Sequence, residues 1–352
     1  LGTTDANRAS SPACAASVIG SSNLTTRGNL PGQVDQNEHW NPPVEPFLGR
    51  TAALCALQES LSDPKRRSIL IYGSLGNGKG SLLRRAWRDP DVRQANPDGV
   101  VWLDGATTYP WLLANLPPAL KSSMRAPHSY QRVEKSLRNA QALLLISNGA
   151  THERLCQEVA ELQRGGNIRV AWLEDEELDP NADIRLGVEG LLGASGDTTT
   201  TVGLAEAVLA RPLSDQEGNL WSNLARRLLG NPLALRLLAG AMRHDSSILE
   251  AWPGEGRLAV ATVVQQLHSL LDTELRRALD ILLLSREPIP EAMALQLTGI
   301  HRAQLRGLVG LGWLQYNNSG RLWVTSALRR LIPRLASEAR SAQNQLEPWV
   351  RL

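Results

Sequence analysis

Phenylalanine is almost missing from this chain: it occurs 1 time in 352 residues, beside 4 Tyr and 10 Trp. The tryptophans are therefore expected to serve as the large packing residues of the core. Cysteine is scarce as well. Cys14, Cys55 and Cys156 lie far apart with no C-x-x-C spacing, which argues against a disulfide framework and against a zinc site. That usage suits a reducing, cytoplasmic setting. His39, His128, His152, His244 and His268 show no metal-ligand spacing. Net charge is small: 37 Lys and Arg against 35 Asp and Glu leave +2. That is too little for a nucleic-acid or membrane-binding field. No run approaches the ~18 apolar residues of a membrane helix, so no membrane partner is expected. The weakly apolar segment from Pro12 to Gly20 lacks a basic start of signal type. The first residue is Leu1 rather than Met, so the chain reads as part of something longer.

What is present begins with a glycine loop. Gly73-Ser74-Leu75-Gly76-Asn77-Gly78-Lys79-Gly80-Ser81 fits G-x-x-x-x-G-K. The run from Ser68 to Tyr72 is short, β-branched and ends at a glycine, so it predicts a buried strand. The stretch from Ser81 through Leu82 to Trp87 predicts a helix that Pro90 would stop. Strand, glycine loop and helix is the setting a phosphate-binding loop requires. Gly73, Gly76 and Gly78 let backbone N–H groups turn inward, and the helix N-terminus adds partial positive charge. Lys79 would reach the β- and γ-phosphates of a bound nucleotide as a point charge. Gly80 stands where Ser or Thr normally ligates Mg²⁺. Ser81 does not replace it, because one step along a helix turns the side chain by ~100°.

Residues 1 to 45 are rich in small and polar side chains and predict a linker or tail. An amphipathic helix through Leu54, Leu57 and Leu61 follows. Further strands are predicted at Gly99 to Leu103, followed by Asp104, at Ala142 to Ile146, and at Ile168 to Leu173. Helical stretches between them argue for a parallel sheet with crossover helices, an α/β domain over residues 46–205. Gly193 to Gly203, with its Thr run, reads as a loop. After Pro212 the chain turns helical, with a helical domain over 206–254. Ser214-Asp215-Gln216-Glu217 is a capping box. Gly230-Asn231-Pro232 ends one helix and starts the next. Residues 255–340 predict helices from Glu274 to Leu284, Glu291 to Leu297 and Arg302 to Leu311. A hairpin from Trp313 to Val324 then completes a winged-helix domain, and 341–352 form a tail.

This order of parts resembles the NB-ARC type of STAND P-loop NTPases, the switch proteins of signalling and defence. The resemblance runs from about Pro46 to about Ala336. Phe47-Leu48-Gly49-Arg50 resembles the V-G-R entry motif, whose Arg lies by the adenine. Gly73 to Ser81 is similar to the phosphate loop. Gly230-Asn231-Pro232-Leu233-Ala234-Leu235 resembles G-L-P-L-A-L, whose Pro packs on the nucleotide. The resemblance thus implies ATP or ADP bound by Leu48, Arg50, Gly73, Gly76, Asn77, Gly78, Lys79, Gly80, Ser81, Leu82 and Pro232. It also implies protein partners or self-association through the P-loop domain.

The chain departs from that pattern at four places. Gly80 is one. The third strand should end in acidic residues, and here Ser147-Asn148 follow Ile146. The fourth should end near a Thr/Ser-Arg sensor, and here Glu174-Asp175-Glu176-Glu177 follow, the wrong charge beside a phosphate. The M-H-D position falls at Thr325-Ser326-Ala327-Leu328, without His. Mg²⁺ then has no obvious protein anchor, although phosphates and water can hold it. Such losses cost on the order of 10³-fold in rate or more. Nucleotide binding with little or no hydrolysis is expected. Two alternatives stand beside it. One is an active ATPase that takes Mg²⁺ ligands from Glu174 to Glu177. The other is a DNA-binding regulator using His301, Arg302, Gln304 and Arg306, although modest charge and the family's regulatory use of this domain favour an intramolecular face.

Overall fold

The computed structural model describes residues 47–104, 140–147, 153–177, 182–192, 196–252, 255–285, 288–316 and 320–332. The two expected tails and Asn148 lie outside them.

Helix α1 (Thr51–Ser62) leads into strand β1 (Ser68–Tyr72), then α2 (Lys79–Ala86) and α3 (Pro90–Gln94). Strands β2 (Val100–Asp104) and β3 (Leu143–Ser147), helix α4 (Glu153–Gly165), β4 (Arg169–Glu174) and β5 (Ile184–Gly187) follow. The five strands form one parallel sheet in the order β2-β3-β4-β1-β5. β1 therefore has β4 on one side and β5 on the other. Asp104 pairs with Ser147, Tyr72 with Glu174 and Tyr72 with Gly187, so the carboxyl ends line up along one edge. Open parallel sheets place their ligands at that edge.

Strand alternation sorts the core into two layers. Ile69, Ile71, Leu143, Leu145, Ala171 and Leu173 pack with Leu57 and Leu61 of α1 and Leu82 and Leu83 of α2. Leu70, Leu144, Ile146, Val170 and Trp172 pack with Val159 of α4. Burial on both faces explains why β1, β3 and β4 read as continuous apolar runs. Arg169 is buried at the start of β4, where its guanidinium donates to the carbonyls of Ser60 and Leu61 and closes the end of α1.

Beyond the sheet come α5 (Thr199–Leu209), α6 (Asp215–Arg227), α7 (Pro232–Met242), a 3₁₀ turn (Ser246–Ala251), α8 (Val260–Leu270) and α9 (Thr273–Leu284). Then follow β6 (Ile289–Pro290), α10 (Glu291–Thr298), α11 (Arg302–Gly310), β7 (Gln315–Tyr316), β8 (Arg321–Trp323) and α12 (Ser326–Leu331). The three short strands make an antiparallel sheet in the order β6-β8-β7, the wing of a winged helix. One hydrophobic core runs through the helical and winged-helix segments, from Leu204 and Trp221 to Leu305 and Leu328. Gly240 lets α7 touch the turn after α11: a Cβ there would lie 2.3 Å from the Leu311 carbonyl oxygen. Trp87, Trp172, Trp221, Trp252 and Trp313 are buried, the packing role expected of them.

The structure corrects several expectations. The Thr run is the first turn of helix α5 rather than a loop. Thr201 is buried and bonds back to the Thr198 carbonyl, Asp197 accepts from the Thr199 N–H, and Leu204 and Ala205 enter the core. Tertiary burial outweighs the modest helix propensity of Thr. Pro90 starts α3 behind the Asp89 cap instead of only stopping α2. Asp104 is the last residue of β2 rather than the residue that follows the strand. Strand β5 was not anticipated. Its four residues alternate half-buried and exposed at the sheet edge.

Candidate functional site

The glycine loop leaves β1 and enters α2 at the aligned carboxyl edge. Gly73, Gly76 and Gly78 have φ of +147°, +86° and +80°. A Cβ on Gly73 would meet the Val188 carbonyl oxygen at 2.2 Å. Gly76 is packed by Asn231 and Leu233, which a Cβ would meet at 2.9 and 3.0 Å. No side chain caps α2 at Gly78, so the N–H groups of its first turn have no side-chain acceptor there. The loop thus combines tight glycine geometry with an open helix N-terminus, which fits an anionic phosphate.

Lys79 is the cation of the loop. Its Nζ donates to the Gly73 carbonyl at 2.5 Å and to Asp175 Oδ1 at 3.0 Å. Burial pushes the Lys79 ammonium below its usual value, and the neighbouring Asp175 pulls it back up. Asp175 is the first residue past β4. Its other oxygen, Oδ2, lies 2.5 Å from Arg330 Nη1 in α12. One carboxylate therefore joins the phosphate loop to the winged-helix end of the chain. Glu174, just before it, is only 3% exposed, and its carbonyl accepts from the Gly73 N–H at 3.2 Å.

Two further residues hold the loop from outside. Arg50, the residue before α1, donates from Nη1 to the Asn77 carbonyl and from Nη2 to the Glu189 carbonyl at 2.7 Å. Burial lowers its pKa to about 10. Asn231 caps α7 by accepting from the Ala234 N–H. Its Nδ2 donates to the Leu75 carbonyl and to Asn77 Oδ1, each at 2.9 Å. Asn77 in turn donates to the Val188 carbonyl at 2.9 Å. Pro232 stands next to this cap at the first position of α7, where a missing N–H costs nothing.

The expected binding residues divide accordingly. Arg50, Gly73, Gly76, Asn77, Gly78, Lys79 and Pro232 come together on or against the loop. Gly80 and Ser81 lie in the first turn of α2, with Ser81 exposed. Leu82 is fully buried in the core against the sheet. Leu48 packs on the face of α5, its Cδ1 3.9 Å from where a Gly203 Cβ would stand. Ser147 ends β3 in register with Leu173. Ser326 opens α12, and the contact with the loop region is made one turn later by Arg330. Sequence reasoning missed Asn231 as a loop ligand and Arg330 altogether. An Asn directly before Pro is a helix-cap signal that could have flagged the first. Nothing local marks the second.

Two residues of the acidic run pair with cations: Asp175 with Lys79 and Arg330, and Glu177 with Arg185 at 3.2 Å. Among the described residues no group of three His, Cys, Asp or Glu side chains is placed to hold a metal ion. No described helix is long and apolar enough to cross a membrane. On α11, Arg302 pairs with Glu291 at 2.6 Å, and Gln304 bonds the His301 N–H and Glu274.

Sheet order, loop and following segments define a P-loop ATPase fold with helical and winged-helix parts. No protein-family model matches the sequence, and no curated protein matches it. Among solved structures the chain is similar to a signal transduction ATPase with numerous domains (STAND) that carries a tetratricopeptide repeat sensor, from Pyrococcus horikoshii. The TM-score is 0.56 at 16% identity, over 88% of this chain and 46% of that one. The chain thus spans less than half of that protein. It also aligns with the Aeropyrum pernix ORC1 protein at TM-score 0.40 and 16% identity, over 87% of this chain and 94% of that one. Domain III of the Thermotoga maritima replication initiation protein DnaA aligns at 0.37 and 19%, over 68% and 100%.

Proposed function

We propose that the chain is a nucleotide-binding switch of the NB-ARC-like STAND kind, which grips ATP or ADP and hydrolyses it slowly or not at all. The observation that carries this reading is the grip of Asn231 on Leu75 and Asn77. Helix α7 of the helical segment is hydrogen-bonded, through its cap Asn231, to the phosphate loop itself. A ligand that reshapes the loop must therefore act on that helix, which is how differential binding becomes a population shift.

In this reading Lys79 supplies charge to the β- and γ-phosphates, and the first-turn N–H groups of α2 supply donors. Arg50 and Asn231 fix the loop backbone so that little ordering is left to binding. Pro232, the first residue of α7, is taken to pack on the nucleotide, as the family likeness implies. The domain limits expected from the sequence, 46–205, 206–254 and 255–340, serve as the working division.

The slow hydrolysis proposed here rests on the residue types at this edge. Gly80 has no hydroxyl. Ser147 ends the strand where a carboxylate would orient water and metal. Asp175 brings negative charge to Lys79. Weak electrostatic stabilisation of the transferring phosphoryl group is the result. The active-ATPase alternative needs Glu174 to Glu177 as metal ligands, and two of those four are paired with cations. The DNA-binding alternative needs free polar groups on α11, and Arg302 and Gln304 bond within the chain. A role in signalling or defence, with protein partners or self-association, accords with the STAND likeness. The test is equilibrium binding of ADP and ATP with phosphate release measured alongside: tight binding with negligible release supports the switch, and turnover at ordinary ATPase rates defeats it.

A further inference from the structure

We propose that Asp175 competes with nucleotide phosphate for Lys79, so that phosphate binding and the release of α12 are one exchange. The inference rests on the nucleotide-binding reading above and specifies how that site is regulated.

Lys79 Nζ donates to the loop carbonyls of Gly73 at 2.5 Å and Ser74 at 3.4 Å, so its ammonium has one direction left to offer. Asp175 Oδ1 takes that direction at 3.0 Å, and its Oδ2 takes Arg330 at 2.5 Å. A carboxylate bridging two cations presents the same arrangement of oxygens as a phosphate edge. Side-chain exposures of 10% for Lys79 and 25% for Asp175 keep the contact from being screened away. A phosphate seated in the loop would face this carboxylate at close range, and like charges so placed disfavour one another. Only one of them can hold Lys79.

Asp175 is free to yield. The last register pair of β4 is Tyr72 with Glu174, so Asp175 can turn away without breaking the sheet. Arg330 is the other end of the bridge. It lies in the last turn of α12, and its exposure of 44% leaves room to let go. A phosphate seated on Lys79 repels the whole carboxylate, and the tie that its second oxygen makes to Arg330 of α12 is weakened with it. By linkage, whatever loosens this tie strengthens phosphate binding by the same factor.

The experiment uses the full chain and its Asp175→Asn variant. ATP and ADP binding are measured by calorimetry, and hydrogen exchange is followed across residues 326–331 with and without ATP. Asp175→Asn should bind nucleotide about tenfold tighter or more, since a charge-assisted competitor is gone. Its α12 amides should exchange faster without nucleotide, and those of the wild type should speed up when ATP is added. Equal or weaker binding by a variant of native melting temperature overturns the proposal. So does wild-type α12 exchange that ignores ATP, an arm that needs no variant. If wild type and variant both fold and neither binds, the nucleotide reading falls and this one with it. If both bind equally, the nucleotide reading stands and only the exchange fails.

Discussion

Asn231 and Asn77 meet side chain to side chain at 2.9 Å although 154 positions separate them in sequence. Both are buried, and each also bonds a backbone carbonyl, Asn231 that of Leu75 and Asn77 that of Val188. The phosphate loop is therefore fastened to the sheet edge on one side and to α7 on the other.

Asn231→Asp should separate the two roles of this residue. The cap acceptor for Ala234 remains, but the donors to Leu75 and Asn77 are lost and a carboxylate faces Asn77 Oδ1. Leaving buried acceptors unpaired costs about 1–3 kcal/mol each. Urea denaturation should show a loss of about 2–4 kcal/mol, and nucleotide affinity should fall with it.

The loop glycines should rank by what a Cβ would meet. Gly78→Ala puts a side chain at φ +80° with only Arg50 Nη1 at 3.2 Å nearby. Left-handed strain alone costs about 1–2 kcal/mol. Gly73→Ala drives a Cβ to 2.2 Å from a backbone oxygen that cannot step aside, so it should be the more damaging. Thermal melting of the two variants gives the order.

Lys79→Met should abolish nucleotide binding, by 100-fold or more on the order of a lost buried charge contact, while the chain stays folded. Asp175 keeps Arg330 as its partner in this variant. Calorimetry with ATP reads the outcome, and unchanged affinity would remove Lys79 from the phosphate site.

Acid should weaken the α6 cap. The Arg211 guanidinium, together with the Ser214 backbone N–H, pulls the Glu217 carboxylate down to about 2. A lowered folded-state value means that this stability is complete above the usual carboxylate value of about 4.5 and is lost as pH falls toward 2. Glu217→Gln should flatten the melting temperature over that window. Ser214→Ala should cost about 1 kcal/mol at neutral pH.

Much of the sheet was legible because its strands are buried on both faces. Ser68 to Tyr72 and Ala142 to Ile146 read as strands from their short apolar runs alone. The glycine loop was legible because its spacing is local. β5 was not, since four residues of weak alternation carry little signal. α5 was missed because a Thr run looks like a loop until its burial is known. The bridge from Lys79 through Asp175 to Arg330 was out of reach for a different reason. The acidic run was recognised as the wrong charge beside a phosphate, but its partner on α12 is set by the packing of the winged helix, which no local pattern encodes.

The central claim is that this chain holds a nucleotide it scarcely splits. Mass spectrometry of the nucleotide released by denaturing the purified chain, after prolonged incubation with ATP and Mg²⁺, tests it most directly. Bound ATP recovered largely intact is the predicted result. Recovery of ADP with phosphate accumulating over many turnovers, or of no nucleotide at all, would contradict it.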